Sequence, residues 1–220
     1  MENIIETDEI IKSIEVIICN AKKNSTLHFD ELAYIFATNK SEAYIRDNLA
    51  IQLQKKYKDL IIAREYLDYN SKNRKSNERF DICVIDRTTE NYLTPVQIIE
   101  LKNWYCHDIR QKKVWSAVEQ DLNKIEQLSI RTESIIGGIV VVSFTHIMGE
   151  LTDLHDGIIK YQKDIYKDLQ RKSSYKYPED ILKYFRARLG NDYYIEEIKT
   201  VPGMYQGRLV SNHIYVISKN

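Results

Sequence analysis

Three carboxylates stand where a charge is costly to bury. Glu65 lies in Ala63-Arg64-Glu65-Tyr66, Asp81 in Arg79-Phe80-Asp81-Ile82-Cys83-Val84-Ile85, and Glu100 in Gln97-Ile98-Ile99-Glu100-Leu101-Lys102. Each interrupts an apolar, largely β-branched run, where an unpaired negative charge needs compensation. Carboxylates gathered on a sheet offer oxygen ligands to a hard divalent cation, and Mg²⁺ held this way keeps several waters. A cation so held polarises a phosphoryl oxygen and activates bound water. Lys102 is two residues from Glu100 and shares its strand face. It would offer a positive charge to a scissile phosphate. The chemistry these residue types permit is phosphodiester hydrolysis, with Asp81, Glu100 and Glu65 as metal ligands, Lys102 as the catalytic cation, and Mn²⁺ an expected substitute for Mg²⁺.

Those residues converge only if their runs are neighbouring strands. Treated as successive antiparallel strands, Asp81 opposite Glu100 centres a turn between Glu90 and Asn91, inside Asp86-Arg87-Thr88-Thr89-Glu90-Asn91. Glu65 opposite Asp81 centres another on Asn73, inside Asn70-Ser71-Lys72-Asn73-Arg74-Lys75-Ser76-Asn77. Both centres fall in turn-forming polar sequence. Ahead of the strands, the spacing predicts helices over residues 6–23, with Thr7 as N-cap, over 29–36, and from a Ser41 cap to about Lys55–Lys58. After them it predicts a helix over residues 111–129, with Val114, Val118, Leu122, Ile125 and Leu128 as its apolar stripe. A buried strand over 139–144, helices over 155–171 and 179–189, and strands over 193–200 and 212–219 complete the expectation.

Composition narrows the setting. Hydrophobic residues at 43% and charged residues at 29% exclude a disordered chain. Lys plus Arg and Asp plus Glu are equal at 32 each, so any surface for a polyanion must come from local clustering. Cys19, Cys83 and Cys106 are scattered and odd in number, against a disulfide framework or a zinc knuckle. The N-terminal apolar run is broken by Lys12, Ser13 and Glu15, and reads as neither a secretory segment nor a membrane span. A cytoplasmic protein without membrane partners is expected.

The order of elements, with Asp81 followed by Glu100-Leu101-Lys102, resembles the PD-(D/E)XK nuclease superfamily over roughly residues 41 to 144. The resemblance implies a restriction-endonuclease-like fold: an α/β chain with an αβββαβ core, its mixed sheet flanked by helices. It would be preceded by a helical segment over 1–40 and followed by an α+β extension over 145–220. Asp81 matches the family's Asp, Glu100 and Lys102 its Glu-X-Lys, and Glu65 its upstream acid. Phe80 stands where the motif has proline. Gln120 is similar to a site glutamine of some branches, although Lys124 stands where those branches have tyrosine. The family implies a Mg²⁺-dependent endonuclease acting on nucleic acid, double-stranded DNA above all, of restriction, phage-defence or repair type, and a homodimer would bring two sites to two strands.

Lys72, Arg74, Lys75, Arg110, Lys112 and Lys113 flank the expected site and are candidates for phosphate contacts, along with Gln120. The clusters at Arg171-Lys172 and at Lys183, Arg186 and Arg188 read as solvated surface, and Trp104 and Trp115 could stack on bases or fill a core. Glu65 has a plain alternative, pairing with Arg64 or Arg79. The whole set has one too, structural ion pairs on an edge strand. A nuclease-like module that binds nucleic acid or a protein without cutting is the competing functional expectation.

Overall fold

The computed structural model describes residues 4–26, 29–38, 41–68, 78–87, 95–131, 135, 137–149 and 177–220. Helix α1 (Thr7–Lys23) buries Ile10, Ile11, Ile14, Ile17 and Ile18, and carries acids in its first turn and lysines in its last, as the helix dipole favours. Glu6, not Thr7, occupies the N-cap position and makes no side-chain cap bond. Thr7 instead lies in the first turn, and its hydroxyl donates to Ser218 Oγ at 3.2 Å. Helix α2 (Glu31–Ala37) is capped by Asp30, which accepts the Ala33 N–H at 2.9 Å. Helix α3 (Ser41–Lys56) buries Ile45, Leu49 and Leu53.

Strands β1 (Leu60–Asp68), β2 (Glu78–Asp86) and β3 (Pro95–Tyr105) follow, then helix α4 (Lys112–Arg131) and strand β4 (Gly137–Met148). Helix α5 (Tyr177–Leu189) and strands β5 (Tyr193–Ile198), β6 (Gly203–Tyr205) and β7 (Arg208–Lys219) complete the described chain. The expected helix over 155–171 lies outside the described residues. Strand β7 begins earlier than expected because Gln206 and Gly207, both at positive φ, make the two-residue turn that folds β6 onto it.

The chain is α/β, with a mixed seven-stranded sheet flanked by helices and ordered β1-β2-β3-β4-β7-β5, with β6 on β7. Among the described strands only β3 and β4 run parallel, joined through α4. The α4 crossover lies so close to β4 that a Cβ on Gly138 would fall 2.1 Å from Ile125 Cγ2, which explains glycine there.

Each sheet face has its own core. Helices α1, α2 and α3 cover Leu60, Ile82, Val84, Ile99, Leu101, Val141, Ile214 and Val216 on one side. Helices α4 and α5 cover Cys83, Ile98, Val140, Val142, Phe144 and Tyr215 on the other. Trp115 belongs to this second core, stacked on Tyr184 and edge-on to Phe185. Among the described residues no helix is long and apolar enough to cross a membrane.

Candidate functional site

The β1–β2 ladder has the register that sets Glu65 opposite Asp81: it runs from Leu60↔Asp86 through Arg64↔Ile82 and Tyr66↔Phe80 to Asp68↔Glu78. The β2–β3 ladder passes through Cys83↔Ile98 and Ile82↔Ile99, a register that continued by one residue sets Asp81 opposite Glu100. There the backbone pairing stops, while β2 goes on to pair with β1 at three more residues, Phe80, Arg79 and Glu78. The sheet therefore forks at Asp81. Its carboxylate bridges the opening, with Oδ2 accepting the Leu101 N–H at 2.9 Å.

The fork also changes which way side chains point. Cys83 and Ile85 belong to the α4 core and Ile82 and Val84 to the opposite one, yet Phe80 is back on the α4 side. Strand alternation slips at Asp81. On β1 the same slip is taken up at Glu65, which sits at φ 53°, a conformation uncommon for a residue with a side chain.

Glu100 is 3% exposed on the α4 side. Its Oε1 accepts from Lys124 Nζ at 2.7 Å, and its Oε2 lies 3.9 Å from Lys102 Nζ. Burial, helped by the neighbouring Asp121 charge and opposed by Lys124, pushes the Glu100 carboxyl up to about 7. Lys102 Nζ lies 2.9 Å from Asp121 Oδ2 and donates to Leu101 O at 3.1 Å. Burial works against its charge, but Asp121, Glu100 and Asp81 outweigh it and hold the ammonium above its usual range.

Helix α3 closes the other side. Arg46 Nη1 lies 3.0 Å from Glu65 Oε1 and 3.9 Å from Asp81 Oδ1, bridging the two acids. Glu42, one turn earlier, lies within electrostatic reach of Asp81, Lys102, Arg46 and Asp121, and burial with the Asp81 charge raises its carboxyl. Glu65 faces outward, 43% exposed at its side chain, and is also paired with Arg79.

Asp81, Glu100 and Lys102 are thus brought together, with Glu65 at the rim. Gln120 is exposed on α4, and its neighbours Asp121 and Lys124 are the ones that reach the fork. Arg110, Lys112 and Lys113 are exposed near the start of α4, Lys113 Nζ 3.4 Å from Asp108 Oδ1. Lys72, Arg74 and Lys75 lie outside the described residues.

Sequence reasoning missed Glu42 and Arg46, ranked Asp121 below Gln120, and set Lys124 on a face of α4 away from the apolar stripe, whereas Asp121 and Lys124 both reach the fork. A signal existed for two of them: Glu42 continues the Ile45, Leu49, Leu53 stripe of α3, and Asp121 sits between Val118 and Ile125 on that of α4. An acid on an apolar stripe faces the sheet.

Two buried or half-buried carboxylates side by side are the donor chemistry of a hard cation that keeps its waters, for which one or two protein carboxylates suffice. Among the described residues no three Asp, Glu, His or Cys side chains are grouped closely enough to cage a metal ion. Compared with known proteins, the chain matches no family model, and no curated protein or solved structure matches it.

Proposed function

We propose that the chain is a Mg²⁺-dependent nuclease of the PD-(D/E)XK type, with the restriction-endonuclease-like αβββαβ core formed by α3, β1, β2, β3, α4 and β4. The observation that carries the proposal is the convergence of Asp81 and Glu100 at the fork, with Lys102 Nζ 3.9 Å from Glu100 Oε2. A buried acid otherwise lowers stability, and a metal ligand is a reason to keep one.

In this reading Asp81 and Glu100 hold the cation, and Glu65 supports it from the rim. The cation, when bound, supplies Lewis-acid activation of a phosphoryl oxygen and of a water. Asp81 orients Oδ1, which faces Arg46, by fixing Oδ2 on the Leu101 amide. Lys102 is held at the fork by Asp121 and the Leu101 carbonyl. From there it neutralises charge that develops on the phosphate in the transition state. Double-stranded DNA is the proposed substrate, Arg110, Lys112 and Lys113 its proposed phosphate contacts, and a homodimer the proposed assembly for cutting both strands.

The test is incubation with duplex DNA, single-stranded DNA and RNA in Mg²⁺, beside EDTA and Lys102→Ala controls. The proposal expects cleavage that both controls abolish or greatly reduce. Cleavage insensitive to both would remove the mechanism. One observation favours a non-cleaving module instead: Lys124 already balances Glu100 at 2.7 Å. Nucleic-acid binding with no metal-dependent cleavage on any of the three substrates would select that reading.

A further inference from the structure

We propose that Lys124 couples metal binding to nucleic-acid binding: it balances Glu100 while no cation is bound, and pairs with a backbone phosphate once a divalent cation takes Glu100 over. The inference rests on the reading of Asp81 and Glu100 as metal ligands.

Lys124 reaches the fork from α4, with Nζ 2.7 Å from Glu100 Oε1, 2.7 Å from Arg79 O and 4.0 Å from the centre of the Phe80 ring. The other two cations at the fork stand farther from the metal-binding oxygens, Lys102 Nζ 3.9 Å from Glu100 Oε2 and Arg46 Nη1 3.9 Å from Asp81 Oδ1, and each has nearer partners. Lys102 is held by Asp121, and Arg46 by Asp47 and Glu65. Lys124 is therefore the charge that must yield when a cation approaches Oε1, because two positive charges at hydrogen-bond range of one buried oxygen repel strongly. Its side chain is 22% exposed, so the ammonium stands at the mouth of the fork. The four-carbon stem lets it turn outward without moving the helix.

Once displaced, that ammonium lies next to the ground a phosphate must occupy to be cut at Glu100 and Lys102. A phosphate bound there recovers the ion pair that Glu100 gave up. Metal and nucleic acid then favour each other's binding, and the coupling is reciprocal.

The experiment compares wild type, Lys124→Met, Lys124→Gln and Glu100→Gln. Ca²⁺ affinity is read by calorimetry, and affinity for labelled duplex DNA, single-stranded DNA and RNA oligonucleotides is read in Ca²⁺ and in EDTA over a salt series. Lys124→Gln keeps an N–H donor for Glu100, which guards against a folding defect in Lys124→Met.

In Ca²⁺, both Lys124 variants are expected to bind the preferred oligonucleotide about tenfold more weakly, with a salt dependence lower by about one phosphate contact. In EDTA they match wild type, and without nucleic acid they bind Ca²⁺ more tightly. Equal losses in both media, or no loss in Ca²⁺, would overturn the proposal. If Glu100→Gln abolishes Ca²⁺ binding while the Lys124 variants behave as wild type, this inference alone falls. If wild type binds no Ca²⁺, or Glu100→Gln binds it undiminished, the metal reading falls and takes the inference with it.

Discussion

From Ile82 to Ile85, β2 is zipped to β3 through backbone pairs, and Ile82, Cys83, Val84, Ile98 and Ile99 are all fully buried. From Asp81 to Glu78 the same strand leaves β3, and the space beside it collects Glu42, Asp81, Glu100, Asp121, Arg46, Lys102 and Lys124. One strand pair thus holds the sheet together at one end and opens it at the other. The zipped half gains from apolar burial. The forked half gives up ladder bonds and buries charge, which a sheet serving stability alone would replace with aliphatic residues.

That contrast is broken most severely in the zipped half. Ile99→Ala should lower unfolding free energy by about 2–5 kcal/mol, read by urea denaturation, because it opens a cavity in a fully packed layer. Lys102→Ala belongs to the other half. It should cost about 10²–10³-fold in cleavage rate while the urea midpoint moves far less. A large loss of stability with unchanged cleavage would reverse the two assignments.

Acidity sharpens the contrast further. The Glu100 carboxyl stands at about 7 in the fold against an ordinary value of 4.5. The folded chain therefore holds a proton that the unfolded chain releases. Stability of the metal-free protein should fall as pH rises from about 4.5 to about 7, on the order of 3 kcal/mol in all, and level off above. Metal affinity, which needs the carboxylate, should rise over the same window. Denaturation and Mg²⁺ titrations in parallel check both slopes, and slopes of the same sign would refute the assignment to Glu100. Glu65 should matter least. Exposed and shared between Arg46 and Arg79, its replacement in Glu65→Gln should change stability by about 0–1 kcal/mol, and metal affinity less than Asp81→Asn does.

Much of this was legible in the chain. Turn-forming sequence and apolar alternation are local signals, and they placed Glu65 opposite Asp81 in the register that the β1–β2 ladder shows. The helical stripe from Val114 to Leu128 placed α4, and the continuous apolar run after Gly138 placed β4. The fork was not legible, because register arithmetic assumes an unbroken ladder, and nothing in Arg64-Glu65-Tyr66 announces a φ of 53°. The partners of the acids were hidden for a different reason. Arg46, Asp121 and Lys124 act across the sheet from two helices far apart in sequence, and a helical stripe says which side faces inward without saying what it meets.

A divalent cation at the fork is what separates a catalytic site from a set of structural ion pairs. Thermal unfolding of wild type and of the Asp81→Asn, Glu100→Gln double variant, each with and without saturating Mg²⁺ at pH 8, tests for it directly. Binding to the folded state alone raises stability by about 2.7 kcal/mol at a hundredfold excess over the dissociation constant. Mg²⁺ should raise the wild-type Tm and leave the variant's unmoved. An equal shift in both, or none in wild type, would contradict binding at the fork.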